Sequence, residues 1–397
     1  MRGRGGQVRH KEGEPDNLSP TVSIGGINTK WGPGSKRLEW FPEILPGEHW
    51  KNLAYYALPE DTVLIPYHSL NARNPGHLVW DEFLPMYNLL EMFQLDDFNH
   101  SVLPLRYVLQ DGIPALWATC DYDPQMLIEC KALMKKFAPL IMRQSSATTV
   151  TSQLLSTVDY ELNLFLEKDQ TSHVDLVCAK TGVAGMGALT DHGMYKRHGW
   201  EERDYLVSHN DGRGGLLYRF RNFMVQTLGL APTSPNGAGD VVPHKAPRRI
   251  VFSQLSSDHN YRNLDFSHLV DIVKRELPGE SVEPFVFKKL SIHDQVEVAR
   301  TTAIYVTICG GGAVTAMFLP KGASLIVYYQ EDAGADGNRL TGKPALLDWD
   351  LLNSMSHLRV HWLPRNTMTQ KGEHDEKALV ALMKHELELI ESGMFVR

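Results

Sequence analysis

The stretch Thr307-Ile-Cys-Gly-Gly-Gly-Ala-Val-Thr-Ala-Met-Phe-Leu-Pro320 constrains the fold of this chain more than any other. The β-branched run Ile304-Tyr-Val-Thr-Ile308 feeds three glycines, Gly310, Gly311 and Gly312. A small-residue segment with helical apolar spacing follows, then Pro320-Lys-Gly-Ala323 and a second apolar run at 324–329. This order predicts strand, glycine turn, short helix, strand. Glycine lets backbone N–H groups approach a ligand where a Cβ would clash, and the helix N-terminus behind them favours an anion. The same pattern serves equally to pack a helix closely on a sheet, so the turn alone does not choose between binding and architecture. Its spacing is not G-x-G-x-x-G, and no dinucleotide fingerprint is present.

At 397 residues the chain is long enough for two domains, each with its own core. A net charge of −7 and a sequence pI near 6.2 give no basic excess for nucleic acid, and no acidic run forms a solvating tail. The four cysteines, Cys120, Cys130, Cys178 and Cys309, have no metal-site spacing, and their pairing is not legible. No run of 18 apolar residues exists, so no membrane span is expected. The N-terminus, Met1-Arg-Gly-Arg-Gly-Gly, lacks the apolar region of a signal peptide. Asn17 and Asn99 head Asn-x-Ser acceptors, which matter only in the secretory pathway.

Taken in order, residues 1–35 read as a disordered lead-in of Gly, Pro and charge. A first domain is expected over 36–232, opening with a strand at 62–67. Asn74 is a good N-cap and Pro75 suits a first helical position, so a helix opens there. His77 and Asp81, four apart, share one face of it, Glu82 points elsewhere, and Pro85 lies far enough in to kink or end it. Strands are expected at 103–109 and 113–119 around Asp111-Gly112, a helix at 124–137, a strand at 174–178 and a helix at 216–228 ending at Gly229. Residues 231–246 have linker composition and mark the domain boundary. Beyond it, strands at 249–253, 282–287, 304–308 and 324–329 alternate with helices at 266–277 and 291–299, the latter opened by the capping box Ser291-Ile-His-Asp294. Alternation predicts a parallel sheet over 247–375 with helices on both faces, and ligands at the carboxyl ends of its strands. A last helix is expected within 376–397.

These pieces, in this order, resemble glycosyltransferase family 61. The resemblance spans roughly 60–330 and rests on several motifs. They are His77-Leu-Val-Trp-Asp81-Glu-Phe-Leu-Pro85, the Leu-Gly-Leu at 228–230, Asn260-Tyr-Arg262-Asn263, Gln295, and the glycine turn with Phe318-Leu-Pro320. Two positions depart from the family pattern: Cys309 stands where a histidine is usual, and Gln254 where an arginine often ends the first strand. The resemblance implies a GT-B-like α/β fold, two Rossmann-like domains with a cleft between them and a C-terminal helix. It also implies an inverting transfer of a sugar, a pentose or N-acetylglucosamine, from a UDP-sugar to a hydroxyl of a glycan or glycoprotein.

Such a reaction needs a base for the acceptor hydroxyl and positive charge or oriented N–H groups for the departing diphosphate. The resemblance places the base among His77, Asp81 and Glu82, and the donor on Arg262, Asn263, Gln295, Cys309, Gly310, Gly311 and Gly312. No metal or other cofactor is expected; Asp121-Tyr-Asp123, which has the form of a metal-binding Asp-x-Asp, is better placed to cap the helix at Pro124. Partners would be a nucleotide-sugar and a glycan or glycoprotein acceptor, without nucleic acid. The expected location is the Golgi or endoplasmic reticulum lumen, with a truncated gene model accounting for the missing anchor. A catalytically silent glycan- or nucleotide-binding relative is the alternative. A nicotinamide-dependent oxidoreductase ranks last for want of the glycine spacing.

Overall fold

The computed structural model describes residues 22–23, 39–40, 55–67, 73–106, 124–142, 176–183, 212–230, 240–255, 264–329, 346–364 and 373–394. The chain divides into two compact units, Met1–His198 and Gly199–Arg397. Both are α/β with parallel strands, the class the sequence predicts.

In the first unit, β1 (Val22–Ser23) and β2 (Glu39–Trp40) form an antiparallel pair. There follow β3 (Tyr55–Ala57), β4 (Thr62–Tyr67), α1 (Pro75–His77), α2 (Leu84–Met92), β5 (Ser101–Arg106), α3 (Pro124–Phe137), β6 (Leu176–Cys178) and β7 (Thr181–Gly182). The order β5-β4-β7 is parallel throughout, as is the pair β3-β6. Parallel neighbours need a crossover, and between β4 and β5 it is the helix that Asn74 opens. Asn74 accepts from the Gly76 N–H at 2.9 Å, as a capping side chain should.

That helix does not end at Pro85. A proline lacks the N–H of the regular ladder and crowds the carbonyl four residues back. The backbone widens ahead of it into a π-helical turn over Leu78–Phe83, with the Leu84 N–H bonded to the Val79 carbonyl five residues back, and α2 then runs to Met92. From 78 to 90 every described side chain is buried, Trp80, Phe83 and Tyr87 among them. A helix buried on all its described faces, Glu82 and Asn88 included, belongs inside its domain. The expected Asp111-Gly112 hairpin lies outside the described residues; β5, which it would have ended, pairs parallel with β4.

The second unit contains α4 (Gly214–Thr227), β8 (Arg249–Ser253), α5 (Ser267–Glu276), β9 (Ser281–Phe285), α6 (Ile292–Arg300), β10 (Thr302–Ile308), β11 (Ser324–Tyr329), α7 (Leu346–Asn353), β12 (Arg359–Pro364) and α8 (Glu373–Glu391). Its five strands are all parallel in the order β9-β8-β10-β11-β12. All seven residues of β10 are buried, the near-continuous apolar run that a sheet covered on both faces demands. Ser291 caps α6 as expected, accepting from the Asp294 N–H at 3.1 Å.

The expected domain limits, 36–232 and 247–375, differ from the observed division at His198 and Gly199. Helix α4 belongs to the second unit because its buried Arg221 donates to Asp240 Oδ2 at 2.6 Å and to the Phe318 carbonyl at 3.0 Å. Gly214 sits so close to Ser356 that a Cβ there would meet its Cβ at 2.5 Å. Nor does α8 stand apart: Glu386 accepts from Arg359 Nε at 2.5 Å and from the Ser324 hydroxyl, and the Leu387 carbonyl accepts from Arg248 at 2.8 Å.

Candidate functional site

Counted along the chain, the second unit's strand order is 2-1-3-4-5. Successive crossovers leave β8 in opposite directions, so the loops after β8 and β10 diverge and open a crevice at their carboxyl ends. Two backbone irregularities follow these two strands. Leu255, just past β8, holds a left-handed φ of 49°, uncommon for a branched side chain. Gly310, just past β10, holds φ 129° and ψ −173°, a region that essentially only glycine occupies. The Leu255 N–H bonds to the Leu264 carbonyl at 2.8 Å, so the chain leaves and re-enters this spot through one clasp. Arg262 and Asn263, expected on the donor, lie outside the described residues.

The glycine turn continues as a 3-10 helix, Gly311–Phe318. Gly312 is exposed, Gly311 half-buried, and every residue from Ala313 to Phe318 buried. The helix therefore starts at the surface, with its first N–H groups at the carboxyl end of β10, and descends into the core. N–H groups of a first helical turn have no partner within the helix, and together they suit an anion.

A 3-10 helix has poor internal hydrogen-bond geometry and needs outside support. It receives this from three buried side chains. Gln295, 4% exposed, donates to the Phe287 and Leu290 carbonyls at 2.9 and 3.2 Å and accepts from the Thr315 hydroxyl at 3.2 Å. His357 lies 3.3 Å from the Met317 carbonyl through Nε2 and packs tilted against Tyr218, with ring centroids 4.9 Å apart and planes at 45°. Burial, with the Arg221 charge beside it, pushes His357 down to about 3, so the ring is neutral and Nε2–H donates. Arg221 takes the next carbonyl, that of Phe318, and is itself held by Asp240, which also receives Arg300 at 2.8 and 3.0 Å. Expected as a donor contact, Gln295 is thus a brace beneath the turn.

Cys309, expected at the same site, is a buried free thiol whose Sγ donates to Asp348 Oδ2 at 3.1 Å, while its N–H extends the sheet to the Tyr328 carbonyl at 2.7 Å. Asp348 was not anticipated: its signal, an acid among Leu346, Leu347 and Leu351 in a short helix, reads as an ordinary first-turn residue. Arg221, Asp240 and Arg300 were likewise missed, because nothing local distinguishes a buried arginine from a surface one.

In the first unit, His77 ends α1 at the carboxyl side of β4 and is half-buried. The π turn alters the expected geometry. With i→i+5 bonding, position 82 comes round toward position 77 about as nearly as position 81 does, so Glu82 does not simply point elsewhere. Glu82 is only 1% exposed. Asp81 lies on the same turn, its side chain outside the described residues. Among the described residues no three His, Cys, Asp or Glu side chains gather as metal ligands; Asp121 and Asp123 lie outside them. Among them, too, no helix is long and apolar enough to cross a membrane.

Residues 110–326, more than half of the chain, match the family described as Glycosyltransferase 61. No curated protein matches the chain in sequence. Among solved structures it is similar to E. coli heptosyltransferase WaaC with ADP-2-deoxy-2-fluoro heptose, at 12% identity and a TM-score of 0.33, covering 82% of this chain and 99% of that one.

Proposed function

We propose, for a chain that belongs to glycosyltransferase family 61, that it moves a pentose or N-acetylglucosamine from a UDP-sugar to a hydroxyl of a glycan or glycoprotein, inverting the anomeric carbon. The observation that carries the donor half is the glycine turn at the switch point of the second unit, with Gly310 in a glycine-only conformation. There the diphosphate lies against the N–H groups of Gly311 and Gly312, with Arg262 on its oxygens as a bidentate donor. Gln295, His357 and Arg221 hold the 3-10 helix rigid, so the N–H groups are in place before charge develops.

The acceptor half belongs to the first unit. His77 takes the acceptor hydroxyl's proton as its oxygen attacks the anomeric carbon; the bond to the phosphate oxygen breaks and its electron pair leaves with UDP. Half-buried at a helix end, His77 is reachable by a hydroxyl, whereas Glu82 is enclosed, which favours His77 with Asp81 as its orienting carboxylate. Helix ends and an arginine serve the leaving group, so no metal is required. The disulfide at Cys130 supports an oxidising compartment, the Golgi or endoplasmic reticulum lumen.

The test is transfer of radiolabel from a panel of UDP-sugars, with and without acceptor glycans, in chelator. Transfer that needs an acceptor and survives chelation is the expected result. Binding without transfer across the panel would point to a silent relative, and turnover restored by manganese would return Asp121 and Asp123 to the site.

A further inference from the structure

Beneath the glycine turn one hydroxyl is placed but not bonded. Tyr305, in the middle of β10, is wholly buried, its ring edge-on to Phe287 with centroids 5.5 Å apart. Its hydroxyl makes no hydrogen bond. Buried polar groups are nearly always bonded, so an exception calls for a reason. Two hydroxyls stand beside it. Tyr305 pairs with Val251 across the sheet, and Ser253, two residues on at the end of β8, projects from the same face. The other is Thr315, in the 3-10 helix. Burial pushes the Tyr305 phenol up, and the Ser253 and Thr315 hydroxyls draw it only part of the way back, so it holds its proton at any physiological pH.

The direction of the missing bond is fixed by the groups around it. Gln295 gives its amide N–H groups to the Phe287 and Leu290 carbonyls, so its oxygen faces Thr315 and must accept. Thr315 therefore spends its one proton on Gln295, at 3.2 Å, and keeps lone pairs that accept. Tyr305 has the proton they lack. In a 3-10 helix positions i and i+3 eclipse, which sets Thr315 directly below Gly312. The Met317 and Phe318 carbonyls, taken by His357 and Arg221, fix the buried end of this helix and leave its outer turn to settle.

We propose that Tyr305 is a positioning residue for the donor: as a diphosphate takes the N–H groups of Gly311 and Gly312, Thr315 is drawn onto the phenol and a bond closes from the Tyr305 O–H to Thr315 Oγ1. This rests on the donor site proposed above. The open arrangement leaves a buried hydroxyl without a partner, and the closed one relieves it. A ligand that bears on the outer turn favours the closed arrangement, so the free energy of this bond is gained on binding. Tyr305 touches no donor atom and acts through Thr315.

The experiment titrates UDP into the full chain, parent and variants, by calorimetry, beside melting curves of the same proteins without UDP. Tyr305→Phe should bind UDP about tenfold more weakly while its melting temperature holds or rises, because a hydroxyl without a partner adds nothing to the open arrangement. Thr315→Val, which also loses the bond to Gln295, should lower both melting temperature and affinity, and adding Tyr305→Phe to it should cost no further affinity. UDP bound equally by the parent and Tyr305→Phe overturns the role of Tyr305 and leaves the donor site standing. A Tyr305→Phe protein that melts early or fails to fold assigns the hydroxyl to the scaffold and overturns the role as well. A double variant weaker than Thr315→Val by the full tenfold overturns the action through Thr315. A parent that binds no UDP overturns the donor site and this closing with it.

Discussion

The thiol of Cys309 donates to Asp348 Oδ2 across 3.1 Å, tying the residue before the glycine turn to the first turn of α7. A buried carboxylate that loses a donor bears part of its desolvation unrelieved, about 1–3 kcal/mol. Cys309→Ala is therefore expected to lower the melting temperature and loosen UDP binding together, while Cys309→Ser, which keeps a donor, restores most of both. Equal behaviour of the two variants in calorimetry would show that the bond does not hold the turn.

Gly310 and Gly312 separate conformation from access. Gly310→Ala must adopt φ 129° and should lose about 1–3 kcal/mol of stability as well as donor affinity. Gly312 is exposed and outside the positive-φ set, so Gly312→Ala should spare the melting temperature and weaken UDP titration alone.

Gln295 and Arg262 are both on the donor list the sequence suggests, and they should fail differently. Gln295→Ala removes bonds to Phe287, Leu290 and Thr315 and should lower stability by about 1–3 kcal/mol, with donor binding following. Arg262→Ala should weaken UDP binding by roughly 1.5–3 kcal/mol for a lost charged hydrogen bond, with the melting curve in place. An Arg262→Ala protein that titrates like the parent removes Arg262 from the site.

His77→Ala and Asp81→Asn should each reduce turnover by on the order of 10²–10⁴, the range for loss of a general base. The double variant should be little worse than either single one, since the two act as a unit. Single-turnover rates read beside melting curves decide this: losses of rate that track losses of stability would assign both residues to the helix alone.

Glu386 makes acid stability a probe of α8. Burial would raise its carboxyl, but hydrogen bonds from His361, Arg359 and Ser324 outweigh this and bring it from 4.5 to about 2. A depressed folded value means stability that is present above about 4.5 and declines as pH falls toward 2, worth about 3 kcal/mol near neutrality. Denaturant titrations of the parent and Glu386→Gln should differ by that order at pH 7 and converge through this window; a gap independent of pH would refute the depression.

Local pattern alone carried much of this molecule. Asn74, Ser291 and Gly229 mark helix ends through bonds within a few residues of themselves, and local apolar patterning made 124–137, 249–253 and 324–329 legible to the residue. The glycine turn was legible for the same reason, and the parallel sheet followed from alternation. What escaped was whatever depends on a distant partner. Strand β12 went unread because Arg359 and His361 make one of its faces look solvent-facing, yet that face meets Glu386, which lies 2.5 and 3.0 Å from them and is supplied by a helix packed from later in the chain. The Pro- and Gly-rich stretch at 231–246 reads as a linker, but Asp240 within it is wholly buried between Arg221 and Arg300 and draws α4 into the second unit. Gln295 carries the same residue type whether it touches a ligand or braces Thr315. A charge or an amide states in sequence only what it can bond; which group it bonds, and therefore whether it is surface, brace or site, is decided when burial removes water as the alternative.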